Sequence, residues 1–253
     1  MKKILLFVSL SVFLAFIAGC APSGTTTPPT PNQTQAPRLI TVNDGVRNLQ
    51  SGDSIRSGIT VTFTGSGPAN AIIRVYLNGT LLDSTTTDDA GSFTWTWTSG
   101  TTEGTFTFGF TAEAGELPES TQDQFQIVVD ITPPYLGSSC SAKADTPLGS
   151  APTITVQFNE PITVGDINLF ETPAFWNVGC TVCPGGSVFT VTQVTLGADN
   201  QTVTLTGNWT TDFLVAGDQI MVVFTYNPLM DIKDAAGNQF NTVASLPTCT
   251  VTP

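Results

Sequence analysis

The chain has 253 residues with 20 acidic and 8 basic side chains, no histidine, and a formal net charge of −12. Without histidine there is no Ser-His-Asp or Cys-His triad, no zinc site built on His and no His-based pH sensor. The negative charge opposes nucleic acid phosphates and anionic lipid headgroups, so no nucleic-acid partner is expected.

Charged residues make up 11% of the chain, against about 25% in an average soluble domain. Threonine occurs 42 times, with 23 glycines and 17 prolines. Threonine is β-branched and polar, so it suits the solvent face of a strand. A hydrophobic content of 40% argues against wholesale disorder. The composition therefore predicts an all-β chain of one large or two small domains under a threonine surface.

Met1-Lys2-Lys3 is a basic start, and Ile4 to Ile17 is an apolar run too short for a comfortable membrane span. Ile17-Ala18-Gly19-Cys20 follows and resembles the lipobox of bacterial lipoproteins. The resemblance implies that residues 1–19 are a signal peptide, removed ahead of Cys20, and that Cys20 is lipidated. Loss of Lys2 and Lys3 would take the net charge to −14. Acyl chains, at about 0.8 kcal/mol per buried methylene, would make the membrane a partner through a lipid anchor. The location implied is the cell envelope, extracytoplasmic, at an outer membrane or cell surface. Residues 20–37 are rich in Thr and Pro, uncharged and without apolar period. They read as a semi-rigid tether that could span on the order of 50 Å at about 3.1 Å per residue.

From Arg38 the pattern changes. Residues 59–64, 73–77, 93–98, 106–110 and 125–129 alternate apolar and polar, as half-buried strands do. Asn78-Gly79 between two runs predicts a tight hairpin, and Asp88-Asp89-Ala90-Gly91 a second turn. Trp95 and Trp97 share one strand face and are expected in the core. The run of these segments, ending in Asp130-Ile131-Thr132-Pro133-Pro134, is similar to the bacterial Ig-like repeats of adhesins and other surface proteins. The resemblance covers residues 38–132 and implies a first β-sandwich.

Residues 133–253 continue with strand patterns at 153–162, 188–196, 202–206 and 219–225 and a turn at 231–238. They resemble Ig-like domains of S-layer and cell-wall proteins, which implies a second sandwich. Residues 169–186 depart from that pattern and read as an inserted loop. Phe170, Phe175 and Trp176 lie in it and are candidates either to contact a glycan or surface protein or to cap an open end of the sandwich.

With Cys20 lipidated, Cys140, Cys180, Cys183 and Cys249 remain, an even number that implies disulfides outside the cytoplasm, with three pairings open. The Ig-like resemblance brings first and last strands together and so implies Cys140–Cys249, leaving Cys180–Cys183 to pin the inserted loop. Cys180-x-x-Cys183 lacks a second CxxC for zinc and a helix start for redox chemistry. No cofactor is expected. Calcium has candidates in Asp88, Asp89, Asp130, Asp231 and Asp234, and some Ig-like arrays bind it between domains, but no EF-hand spacing is present. Catalysis would need a carboxylate pair, for which Glu160, Asp166 and Glu171 are the candidates, or a Ser-Lys arrangement on Lys143 or Lys233. No motif supports either, and a non-catalytic binding or adhesion module is expected, with a structural spacer or envelope component as the alternative.

Overall fold

The computed structural model describes residues 33–143, 152–182, 189–209, 216–242 and 247–252. The expected signal peptide, Cys20, the tether up to Asn32, and Cys183 lie outside the described residues. Among those described, nearly all regular structure is β, and no helix is long and apolar enough to cross a membrane.

The first sandwich is built from β1 (Arg38–Asn43), β2 (Ser54–Ile55), β3 (Thr60–Ser66), β4 (Ile72–Leu77), β5 (Thr80–Thr86), β6 (Ser92–Thr98), β7 (Gly104–Glu113) and β8 (Asp123–Val129). One sheet has the order β1-β3-β6 and the other β2-β8-β7-β4-β5. The chain thus passes back and forth between two facing sheets, the arrangement of an immunoglobulin-type sandwich. The period-two pattern explains which side faces in. Val61 and Phe63 on β3 and Phe93 and Trp95 on β6 are buried. Between them, Thr60, Thr62 and Thr64 pair with Thr98, Thr96 and Thr94 on the outer face. Phe63 lies at the middle of the core, its ring 5.0 Å from Phe108, 5.2 Å from Phe110 and 5.4 Å from Trp95. Trp97 is half-buried against the same core. The Trp95 indole donates to Asp83 Oδ2 at 2.8 Å, which satisfies its one polar atom. Asn78 and Gly79 both take positive φ, 51° and 83°, as a type I′ hairpin between β4 and β5 demands.

The second sandwich is built from β9 (Leu136–Lys143), β10 (Thr153–Phe158), β11 (Thr163–Val164), the short helix α1 (Ile167–Phe170), β12 (Trp176–Val182), β13 (Phe189–Leu196), β14 (Thr202–Trp209), β15 (Gln219–Phe224), β16 (Ile232–Lys233) and β17 (Thr248–Thr252). Its ladder closes on itself in the order β10-β14-β13-β12-β15-β17-β9. Two strands make the closure. β9 pairs antiparallel with β10 and parallel with β17, and β13 bridges β14 to β12. β11 and β16 form a separate two-stranded ribbon. Cys140 on β9 and Cys249 on β17 are joined by a disulfide, with Cα atoms 5.3 Å apart.

The segment expected as an inserted loop is a correction. Trp176–Val182 is β12, which pairs with β15 through six residues from Trp176↔Phe224 to Val182↔Gln219. Its approach is irregular, α1 and then a 3₁₀ turn at Pro173–Phe175, and its register with β15 shifts between Cys180 and Val182, while residues 183–186 of the expected loop lie outside the described residues. The two sandwiches have separate cores, one spanning Val42 to Val129 and the other Leu136 to Val251.

Candidate functional site

The aromatic residues expected to offer a contact surface do not form one. Phe170 is 0% exposed and Trp176 2%, and Phe175 is packed half-buried against the same core. Trp176 stacks on Phe224 at 4.3 Å and meets Phe170 edge-on at 5.4 Å. Its indole N–H donates to the Phe170 carbonyl at 2.9 Å. The indole thus buries its large apolar surface and satisfies its donor inside the protein. This corrects the candidate binding loop: β12 turns Trp176 and Val178 inward because they occupy the core face of a paired strand.

The acidic residues fare differently from one another. Asp88 caps its own turn, accepting from Ala90 N and Ser92 N, and Asp89 accepts from Asn70. Asp231 is paired with Lys233 at 2.9 Å, and that hydrogen bond holds its carboxyl below the usual range. These three stand apart. Asp130 and Asp234 come together with Glu160, and one carboxylate oxygen of each lies within 4.8 Å of the others. Three elements deliver them. Asp130 directly follows β8, Glu160 follows β10 ahead of Pro161, and Asp234 follows β16. Since β8 belongs to the first sandwich and β10 and β16 to the second, the cluster sits on the joint between the two.

The joint is held by main-chain contacts. The Arg56 N–H donates across it to the Ala236 carbonyl at 3.1 Å, while the Asp130 N–H stays within the first sandwich, donating to the Ile55 carbonyl at 3.0 Å. Asn238 links both sides, its side-chain amide donating to the Asp130 carbonyl at 2.9 Å and to Asp234 Oδ2 at 2.7 Å. Asp234 Oδ1 accepts from the Asn238 N–H at 2.8 Å, closing the turn at Gly237, whose φ of +90° suits glycine. Across the linker, Pro134 is buried and its carbonyl accepts from Asn241 N–H at 2.8 Å. Thr132 returns its N–H to Asp130 Oδ1 and its hydroxyl to Glu103, each at 3.0 Å.

The electrostatics follow from crowding like charges in a half-buried place. Burial, then the charges of Asp234, Asp130 and Glu103, push the Glu160 carboxyl up to about 7, against the lowering effect of the Asn159 amide. Burial first, then Asp234 and Glu103, also raise Asp130. Chemically the cluster can do two things: share a proton through Glu160, or offer three carboxylate oxygens to a hard divalent cation. Among the described residues, Asp130, Glu160 and Asp234 are the acids placed to hold a metal. The sequence marks Glu160 only as one of a catalytic pair. Its expected partners are used elsewhere: Asp166 caps α1 through Leu169 N–H, and Glu171 accepts from Leu196 N–H.

Cys180 is disulfide-bonded, while Cys183, its expected partner, lies outside the described residues. Lys233 is engaged by Asp231.

No family model matches the chain, and no curated protein is similar to it. Solved structures are similar at low identity. Fibronectin(III)-like modules of CbhA from Clostridium thermocellum are 12% identical with a TM-score of 0.32, covering 83% of this chain and 94% of that one. The Escherichia coli adhesin FdeC is 16% identical with a TM-score of 0.32, covering 89% and 66%. The CARDB domain of PF1109 from Pyrococcus furiosus is 21% identical with a TM-score of 0.26, covering 39% and 99%.

Proposed function

We infer that this chain is a lipid-anchored, extracytoplasmic, non-catalytic Ig-like module that holds its second sandwich away from the envelope surface. The observation that carries the reading is the placement of Thr34 and Asp130 at opposite ends of β7. The Thr34 hydroxyl accepts from the N–H of Ala114, one residue past the end of that strand. Val129, just before Asp130, pairs with Gly104 at its start. Ten residues at about 3.3 Å each put the two ends on the order of 30 Å apart. A chain arriving from a tether at Thr34 therefore crosses the whole first sandwich before it reaches the second. The joint at Asp130 then fixes the second sandwich through Asn238 and Ala236. Lipidation at Cys20 rests on the resemblance of residues 17–20 to a lipobox.

Burial of Phe170 and Trp176 favours a spacer that presents its outer unit over a module that grips a glycan with an aromatic loop. A binding or adhesion role has its own supporting observation. β5 is an edge strand with Leu81 and Leu82 55% and 46% exposed. Exposed apolar edge strands are surfaces on which partner proteins add.

Anchoring is tested by feeding cells an alkyne fatty acid. Label on the chain that is lost in Cys20→Ser, with an antibody against the second sandwich binding intact cells, supports the reading. An unlabelled chain released to the medium overturns it.

A further inference from the structure

The composition of residues 20–37 predicts a semi-rigid tether up to Pro37, yet its last residues are docked on the first sandwich. Thr34 is 2% exposed and Pro37 is buried. The Thr34 N–H donates to the Pro118 carbonyl at 3.0 Å, its hydroxyl accepts from Ala114 N–H at 3.3 Å, and the Gln33 side chain donates to the Glu119 carbonyl at 2.6 Å. All three contacts fall on one loop, residues 114–120, and that loop is itself fastened to the sheet. Ser120 Oγ accepts from Ala112 N–H at 2.8 Å. The Glu119 carboxylate accepts from the Tyr76 hydroxyl at 2.6 Å and from the Thr111 hydroxyl, with Arg74 at 3.3 Å.

We propose that residues 33–37 form a clasp that passes tension on the tether into β4 and β7 instead of into the edge strand β1. The mechanical reason is the difference between the two attachments. β1 has only β3 beside it in its sheet, and its register with β3 shifts between Leu39 and Thr41. A pull at its first residue would open that ladder one pair at a time. β4 and β7 pair with each other and each has a further neighbour in its five-stranded sheet. The clasp meets the pull before it reaches Arg38 and delivers it through Glu119 to Tyr76, Thr111 and Arg74. It also sets the direction in which the chain enters the first sandwich. The clasp is a property of the folded chain; only its mechanical purpose rests on the anchored reading above.

The test is amide hydrogen exchange on the full-length chain, with Glu119→Ala and Thr34→Ala as variants. The Thr34 amide is expected to exchange more slowly than the tether amides before it. Loss of the Glu119 fastening should speed it about tenfold, the scale of one or two lost hydrogen bonds. Amides of β3 and β8 should stay slow, which shows that the sandwich remains folded. A Thr34 amide that exchanges as fast as the tether overturns the proposal. So does an amide at position 34 whose exchange is unchanged in both variants. Neither result depends on lipidation of Cys20, so failure of the anchored reading would be seen separately, in the fatty acid labelling.

Discussion

Cys140 and Cys249 face each other across the parallel pair β9–β17, in the same register as Ala142↔Val251 two residues further on. The disulfide therefore locks a ladder that is already formed, and it joins strands 109 residues apart in sequence. Closing a loop of that size contributes about 4–5 kcal/mol on the chain-entropy account. The double variant Cys140→Ser/Cys249→Ser should lower the stability of the second sandwich by that order. Urea unfolding should show the transition of the first sandwich unmoved, because no cysteine lies between residues 33 and 139.

Trp176 should act as a core residue. Trp176→Ala removes a ring 2% exposed that packs on Phe224 and Phe170. The expected cost is about 3–5 kcal/mol. Trp176→Phe keeps most of the packing and leaves the Phe170 carbonyl without its donor, so it should cost less. Acrylamide quenching provides the check on exposure. A Trp176 emission that quenches as readily as free indole would contradict the burial.

The joint should loosen as pH rises. The Glu160 carboxyl titrates near 7 in the folded chain, against an ordinary value of 4.5. A raised carboxyl favours the folded state below pH 4.5, and this contribution is lost as pH rises through 7. Glu160→Gln removes the titrating group, so the variant should gain on wild type between about pH 5 and 8. The gain should be on the order of 1 kcal/mol, since solvent screens a half-open site. Thermal unfolding in a chelating buffer measures it. Equal pH profiles for the two proteins would contradict the crowding of Glu160 against Asp130 and Asp234.

Much of the fold is legible in the sequence because core and surface residues alternate. In β6, Phe93, Trp95 and Trp97 point one way and Thr94, Thr96 and Thr98 the other, and the alternation alone identifies a strand. β12 escapes that pattern because Gly179, Cys180 and Thr181 break the alternation after Trp176 and Val178. Pairing with β15, which is distant in sequence, makes it a strand. β9 escapes it for a similar reason: Gly137, Ser138 and Ser139 carry no apolar signal. The candidate site is legible only in pieces. Asp130 and Asp234 stand among five acids in ordinary turn sequences, and Glu160 stands apart from them as a catalytic candidate. Their convergence comes from the docking of one sandwich on the other, through Arg56, Ala236 and Asn238, which no local pattern records.

The separation of the tether from the second sandwich by the first can be measured directly. Glu116 lies on the exposed loop that receives the tether, and Thr153 is exposed at the start of β10, the end of that strand away from Glu160. Spin labels at these two positions, in a chain with its disulfides intact, allow the distance between them to be measured by pulsed electron resonance. Strand lengths of about 3.3 Å per residue on either side of the joint predict a single distribution on the order of 60 Å. A distribution below about 40 Å, on the same strand-length scale, would place the second sandwich back beside the tether and contradict the account.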